Sequence, residues 1–171
     1  MKTIIAATDF SPAATNAATY ASDMATSIGV DLLLVHVWKI PISDEGMPVP
    51  VLTADVLEIA KKRMSDLETD LINHSKHSKR KINISSRIRM GEFVDELIAI
   101  CKNINPYVVV MGSQGTTAAE RVIFGSHAVQ AMKKLQWPLI TVPKDVTYHS
   151  IKKIGLACDY QNVVETIPTD E

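Results

Sequence analysis

The sequence predicts an α/β protein built on an open, five-stranded parallel sheet with strand order 3-2-1-4-5. Three observations predict it. Short apolar runs alternate with longer segments of helical period, the signature of successive βαβ units. A length of 171 residues, 46% of them hydrophobic, suits one α/β domain with an ordinary core and a short extension. The first and fourth apolar runs form the natural central pair, because strands 1 to 3 and strands 4 to 5 can wind outward from them.

The first run, "TIIAAT" (3–8), reads as a buried strand. Ser11 is a natural N-cap for the following helix, and Pro12 suits its first position. Ala14, Ala17, Ala21, Met24 and Ile28 recur at helical spacing as its inner stripe, and Gly29 ends it. A stripe of mostly alanine predicts close packing on the sheet. "DLLLVHVW" (31–38) is the second strand. Pro41, Gly46, Pro48 and Pro50 make 39–52 a loop. A long helix follows over about 53–75, with Val56, Ala60, Met64, Leu67 and Leu71 inward. Alternation over 82–88 predicts a third strand, exposed in part on one face. A helix over about 92–104 turns Phe93, Leu97, Ile100 and Ile104 inward. "YVVVMG" is the fourth strand and the most apolar. "SHAVQAMKKL" is a helix with Val129, Met132 and Leu135 inward, and "WPLITVP" closes the sheet.

Composition excludes several classes of function. A formal net charge of −1 argues against nucleic acid as a partner, since phosphate-backbone binding needs a basic excess. The clusters Lys61–Arg63 and Lys79–Lys81 read as solvated faces of helix and turn. No run reaches the ~18 apolar residues of a membrane span, and the N-terminal run turns polar at Asp9, too early for a signal peptide. Cys101 and Cys158 form neither a disulfide framework nor a CxxC motif, so a cytoplasmic setting is expected.

Residues 144–171 fall outside the alternating pattern. "IKKIGLACDYQNVVETI" echoes the chain's own start, "MKTIIAATDFSPAATNA", with Asp159 falling on Asp9. A repeat with a period of about 150 residues predicts a tandem arrangement. The expected organisation is one domain over 1–143, a linker over 144–150, and the first strand and turn of a truncated second domain over 151–171.

The stretch with most chemical content is "VVVMGSQGTTAAERVIFGSHAVQAM" (108–132), which holds glycines 112, 115 and 125. Glycine accepts φ > 0 and lets a ligand touch the main chain, so successive amides can converge on an anion. Gly125-Ser126 opens a helix, where free N–H groups and the dipole favour phosphate. Glycines at strand ends are also ordinary turn residues, and both readings stand on this evidence. At the carboxyl end of the first strand sits "TDFS" (8–11), the location a ligand site would require, where Asp9 can also serve as a capping residue.

The spacing Gly112-x2-Gly115-x9-Gly125-Ser126, in its strand–loop–helix context, resembles the ATP-binding pattern of the universal stress protein family. The resemblance covers residues 1–143, through "AATDFSPAA", "LLLVHVW" and "WPLITVP". It implies a Rossmann-like fold of the adenine nucleotide alpha hydrolase type, in a tandem member's N-terminal domain. It also implies an adenine nucleotide, ATP with or without Mg²⁺. Ala7, Thr8 and Asp9 would approach base and ribose, with Val37 near adenine. Met111 and Gly112 would lie under the ribose. Gly115, Gly125, Ser126 and the amide of His127 would hold phosphates. Three positions depart from the family's habit: Gln114 stands where His or Arg is frequent, and His127-Ala128 replace an apolar residue and a hydroxyl. A lost hydroxyl contact costs on the order of 1 kcal/mol.

No catalytic constellation is evident. The SGGxDS pattern of ATP pyrophosphatases is absent, and "GSQGTT" lacks the Walker A lysine. Arg121 is the one cation within the loop and can either meet a terminal phosphate or stay solvated. Asp9 can reach Mg²⁺ only through water, and His74-x2-His77 lacks the further ligands zinc needs. No protein-held metal site is expected. The fifth strand should be a sheet edge, which invites a partner strand. The family pairs through this edge, so a homodimer through Leu139, Ile140, Thr141 and Val142 is expected, or addition of 151–157 as a strand. Three functions remain: a nucleotide-binding stress regulator, a ligand-free structural or dimerisation domain, and a slow ATP hydrolase. The glycine spacing favours the first.

Overall fold

A computed structural model describes residues 2–39, 50–76, 78, 80–113 and 126–155. It contains β1 (Thr3–Ala7), α1 (Pro12–Ile28), β2 (Asp31–Trp38), α2 (Pro50–Ser75) and β3 (Ile84–Met90). These are followed by α3 (Phe93–Ile104), β4 (Val108–Gly112), α4 (Ser126–Lys134) and β5 (Leu139–Val142). All four strand pairings are parallel, and the order is β3-β2-β1-β4-β5, as the sequence predicts.

The sheet separates two apolar layers. On one face, Ile4, Leu32, Leu34, Val108 and Val110 pack against the alanines of α1 and against Met64, Leu67 and Leu71 of α2. On the other, Ile5, Leu33, Val35, Val109 and Met111 pack against Leu97, Ile100 and Cys101 of α3 and Ala128 and Ala131 of α4. Residues alternate between the layers because successive strand side chains point to opposite faces.

The local signals of α1 hold. Ser11 is extended and its side chain accepts a hydrogen bond from Ala14 N–H at 3.2 Å, Pro12 opens the helix, and Gly29 closes it in the left-handed conformation. Its buried face is Ala13, Ala14, Ala17, Ala18, Ala21, Ser22, Met24 and Ala25. Ile28, expected inward, is the last helical residue and is exposed, because the stripe that meets the sheet ends at Ala25.

Several expectations are corrected. α2 begins at Pro50 rather than 53, with proline again in a first helical position. β3 is displaced to Ile84–Met90, since its ladder follows β2 as far as the Trp38↔Met90 pair. Alternation identifies a strand's faces but leaves its ends to the partner strand. α3 begins at Phe93, one residue late, with Glu92 at its N-cap, and Val94 and Cys101 join its buried face. In α4, Val129 and Met132 are exposed, and Ala128 and Ala131 are buried instead. Small side chains let this helix lie close to the sheet, which turns its larger residues outward.

β5 is an edge strand in which Leu139, Ile140 and Thr141 are partly exposed and Val142 is buried. Beyond it the chain folds back over α1. Asn16 donates to the carbonyls of Pro143 and Val146, at 3.2 and 3.0 Å, and Tyr148 meets Tyr20 edge to face at 5.3 Å. Residues 151–155 are exposed and form no strand, so the expected added strand is not seen there. Residues 156–171, which carry the rest of the repeat, lie outside the described residues. Among the described residues no helix is long and apolar enough to cross a membrane.

Candidate functional site

In a parallel sheet every helix that follows a strand begins at the same edge, the strands' carboxyl ends. β1 and β4 are paired from Ile4↔Val108 to Ala6↔Val110, so Ala7–Asp9 and Met111–Ser113 leave the sheet side by side. β2 lies on the other side of β1, with Ala7 opposite Val35, which brings Val37 to the same end. Six of the predicted residues (Ala7, Thr8, Asp9, Val37, Met111 and Gly112) therefore converge through topology alone.

Their exposure divides them. Ala7, Thr8 and Met111 are buried, with Ala7 and Met111 in the α3/α4 layer, so the side chain of Met111 serves the core. Val37 is half-buried and packs against that layer. Asp9, Ser126 and His127 are exposed. Gly115 and Gly125, with Gln114 and Arg121, lie outside the described residues.

The β1–α1 turn is tightly bonded. Thr8 N–H donates to Val35 O at 2.9 Å, and Thr8 Oγ1 accepts from Phe10 N–H at 3.0 Å. Asp9 Oδ1 accepts from Ser11 N–H at 2.9 Å. That contact is an Asx-type cap, and it uses one carboxylate oxygen of an exposed residue. The second oxygen has no protein partner among the described residues. The capping and binding readings of Asp9 are thus compatible.

Gly112 is explained differently from expectation. A Cβ at this position would lie 2.9 Å from the carbonyl carbon of Ala13 and 3.1 Å from Ala14 N. The space that a side chain would fill holds the first turn of α1, so close helix–strand packing by itself requires glycine. Ser113 N–H donates to Val142 O at 2.9 Å and is not free for an anion.

The first turn of α4 offers the anion-binding chemistry. Ser126 presents its hydroxyl at a helix start, where main-chain N–H groups have no intrahelical acceptor. His127 stacks on Phe93 at the start of α3, with ring centroids 4.9 Å apart. That contact holds the imidazole beside the helix start, next to the amide that the family resemblance implies for phosphate.

Sequence reasoning missed His36 and its contacts with Thr8 and Phe10. His36 Nδ1 lies 2.8 Å from Thr8 O, and the Phe10 ring sits 4.4 Å from the imidazole. The one available signal was a polar side chain inside the apolar run that follows Asp31 in β2. Cys101 is buried in the core, and burial pushes its thiol up to about 11. It stays protonated near neutral pH and is no nucleophile. Among the described residues no group of three or more metal-ligating side chains occurs.

The model of the universal stress protein family matches residues 1–143. No curated protein sequence matches the chain. Among solved structures, a universal stress protein in complex with cAMP is 20% identical, with a TM-score of 0.60 over 84% of this chain and 97% of its own. A universal stress protein from Archaeoglobus fulgidus in complex with dAMP is 20% identical, with a TM-score of 0.58 over 82% and 96%. UspA from Lactobacillus plantarum is 19% identical, with a TM-score of 0.62 over 82% and 97%.

Proposed function

The chain belongs to the universal stress protein family, and on that premise we propose that it is an adenine-nucleotide-binding regulatory domain of a stress response. The observation that carries this reading is the convergence at the switch point between β1 and β4. An exposed carboxylate whose second oxygen has no protein partner among the described residues leaves β1, and helix α4 opens at the same end of the sheet. A carboxylate accepts hydrogen bonds from ribose hydroxyls, and a helix N-terminus receives phosphate. Two similar structures hold cAMP and dAMP, ligands that share an adenine base and a phosphate carried on a pentose.

The residues present suit such a ligand. Asp9 would take the ribose, with Ala7, Thr8 and Val37 forming the apolar floor near the base. Ser126 and the amide of His127 would take phosphate, with Gly115 and Gly125 shaping the loop. ATP is the proposed ligand, and it would bring phosphate charge that Mg²⁺, held through water by Asp9, can balance. The ligand's presence would be read out by pairing along the β5 edge (Leu139–Val142), in a homodimer or with a second, tandem domain. The protein's role is to bind and signal rather than to turn over.

One observation favours a ligand-free scaffold instead: the missing side chain of Gly112 is already accounted for by α1. Titration calorimetry with ATP and AMP decides between the two. Wild type should bind saturably at one site per chain, and Gly125→Val should lose about ten-fold or more in affinity. No heat of binding with either nucleotide sinks the regulatory reading. Turnover above about one per second would reassign the protein as a hydrolase.

A further inference from the structure

We propose that His36 is a positioning residue for the β1–α1 turn, the turn that presents Asp9. His36 lies on β2, and its Nδ1 is 2.8 Å from the carbonyl oxygen of Thr8. A carbonyl only accepts, so Nδ1 carries the hydrogen and donates it. With this bond, Thr8 is held at three atoms: its N–H by Val35 O, its carbonyl by His36 and its hydroxyl by Phe10 N–H.

Phe10 completes the latch. Its φ is +62°, a conformation that a bulky L-residue holds only when its surroundings impose it. The ring of His36, 4.4 Å away between centroids, is one of the contacts that hold it there, beside core packing and the Phe10 N–H bond. Arg63, from α2, lies over the Phe10 ring with its guanidinium 6.0 Å from the centroid. One imidazole therefore bonds the residue before Asp9 and packs on the residue after it. The carboxylate between them is held where the ligand would meet it.

The consequence for affinity rests on the nucleotide-binding reading, and the latch itself does not. The test uses the full chain with His36→Leu, which removes the donor, and His36→Asn, whose amide N–H can occupy the place of Nδ1–H. His36→Asp, shaped like Asn but lacking a donor, stands in for Leu if that variant does not fold. Hydrogen exchange of the ligand-free protein should show the Phe10 and Ser11 amides exchanging about ten-fold faster in His36→Leu. The β1 amides of Ile5 and Ala6 should stay unchanged, and His36→Asn should restore protection. Affinity for ATP should fall about five- to ten-fold in His36→Leu, the worth of one well-placed hydrogen bond, and recover in His36→Asn. Unchanged exchange at Phe10 and Ser11, loosening that asparagine fails to rescue, or full affinity in the leucine variant would each overturn the proposal. If wild type binds no nucleotide the functional reading fails, and the exchange data still decide the latch.

Discussion

Helices α1 and α4 lie on opposite faces of one sheet and both start at the strands' carboxyl ends, yet they are seated very differently. α1 has 17 residues, a bonded serine cap, and backbone contact with β4 at Gly112. Its outer side is strapped by the chain after β5, through Asn16 and Tyr20. α4 has 9 residues, buries Ala128 and Ala131, and leaves Val129 and Met132 exposed. The first helix is built to stay in place. The second, lightly buried, is the element a ligand can reposition at low cost. On the proposed reading, a fixed carboxylate on the α1 side and phosphate donors on the α4 side would make α4 the part that responds to nucleotide.

The sharpest way to break this comparison is Gly112→Ala. Relief of glycine's unfolded-state entropy would favour alanine by about 0.4–1 kcal/mol. Against that, the new Cβ would meet the Ala13 backbone at 2.9 Å, where no flexible side chain can yield. Overpacking of this kind costs about 1–3 kcal/mol, so the steric term should win. Urea unfolding should show net destabilisation, and Gly112→Val should be worse. A neutral result would show that α1 is no more firmly seated than α4.

Two serines on α1 should move stability in opposite directions by smaller amounts. Ser11→Ala removes the cap on Ala14 N–H and should cost about 1 kcal/mol. Ser22 is fully buried and its Oγ has no hydrogen-bond partner among the described residues. Ser22→Ala removes that unpaired hydroxyl and improves helix propensity, so it should stabilise by about 0.5–1 kcal/mol. The pair shows that α1 is held by its end and its alanines, with Ser22 a burden.

These cases show what the sequence made legible. The caps of α1 could be read because serine, proline and glycine act within a few residues of where they stand. Strand order followed from element order, since crossovers leave few topologies for a five-stranded parallel sheet. The inner face of α4 was misread because apolar size was taken as a guide to burial. Where a helix lies close to a sheet, alanine goes inside and valine and methionine go out. The packing role of Gly112 is not legible in the sequence, because its contact with Ala13 joins residues about a hundred positions apart. His36 is hidden for the same kind of reason: its partner, Thr8, lies in the turn after another strand, 28 positions away. The convergence of Asp9, Val37 and Gly112 came from topology and was legible, whereas the hydrogen bonds that orient Asp9 were not.

The smallest expected effect tests α4 directly. Met132 is 45% exposed, and a lysine can place its ammonium in water from that position while its stem covers the same surface. Met132→Lys should therefore change the urea midpoint by no more than about 0.5 kcal/mol in stability. The same charge at Ala17, which is fully buried on the sheet-facing side of α1, would be left without water or partner and should unfold the domain. If Met132→Lys proves strongly destabilising instead, its side chain is covered in solution. Light scattering then identifies the cover: a wild-type mass of two chains that falls to one in the variant places α4 in a homodimer interface beside β5. In that case α4 is seated by a partner rather than by its own sheet, and a nucleotide that moves it would act on dimerisation through the same helix.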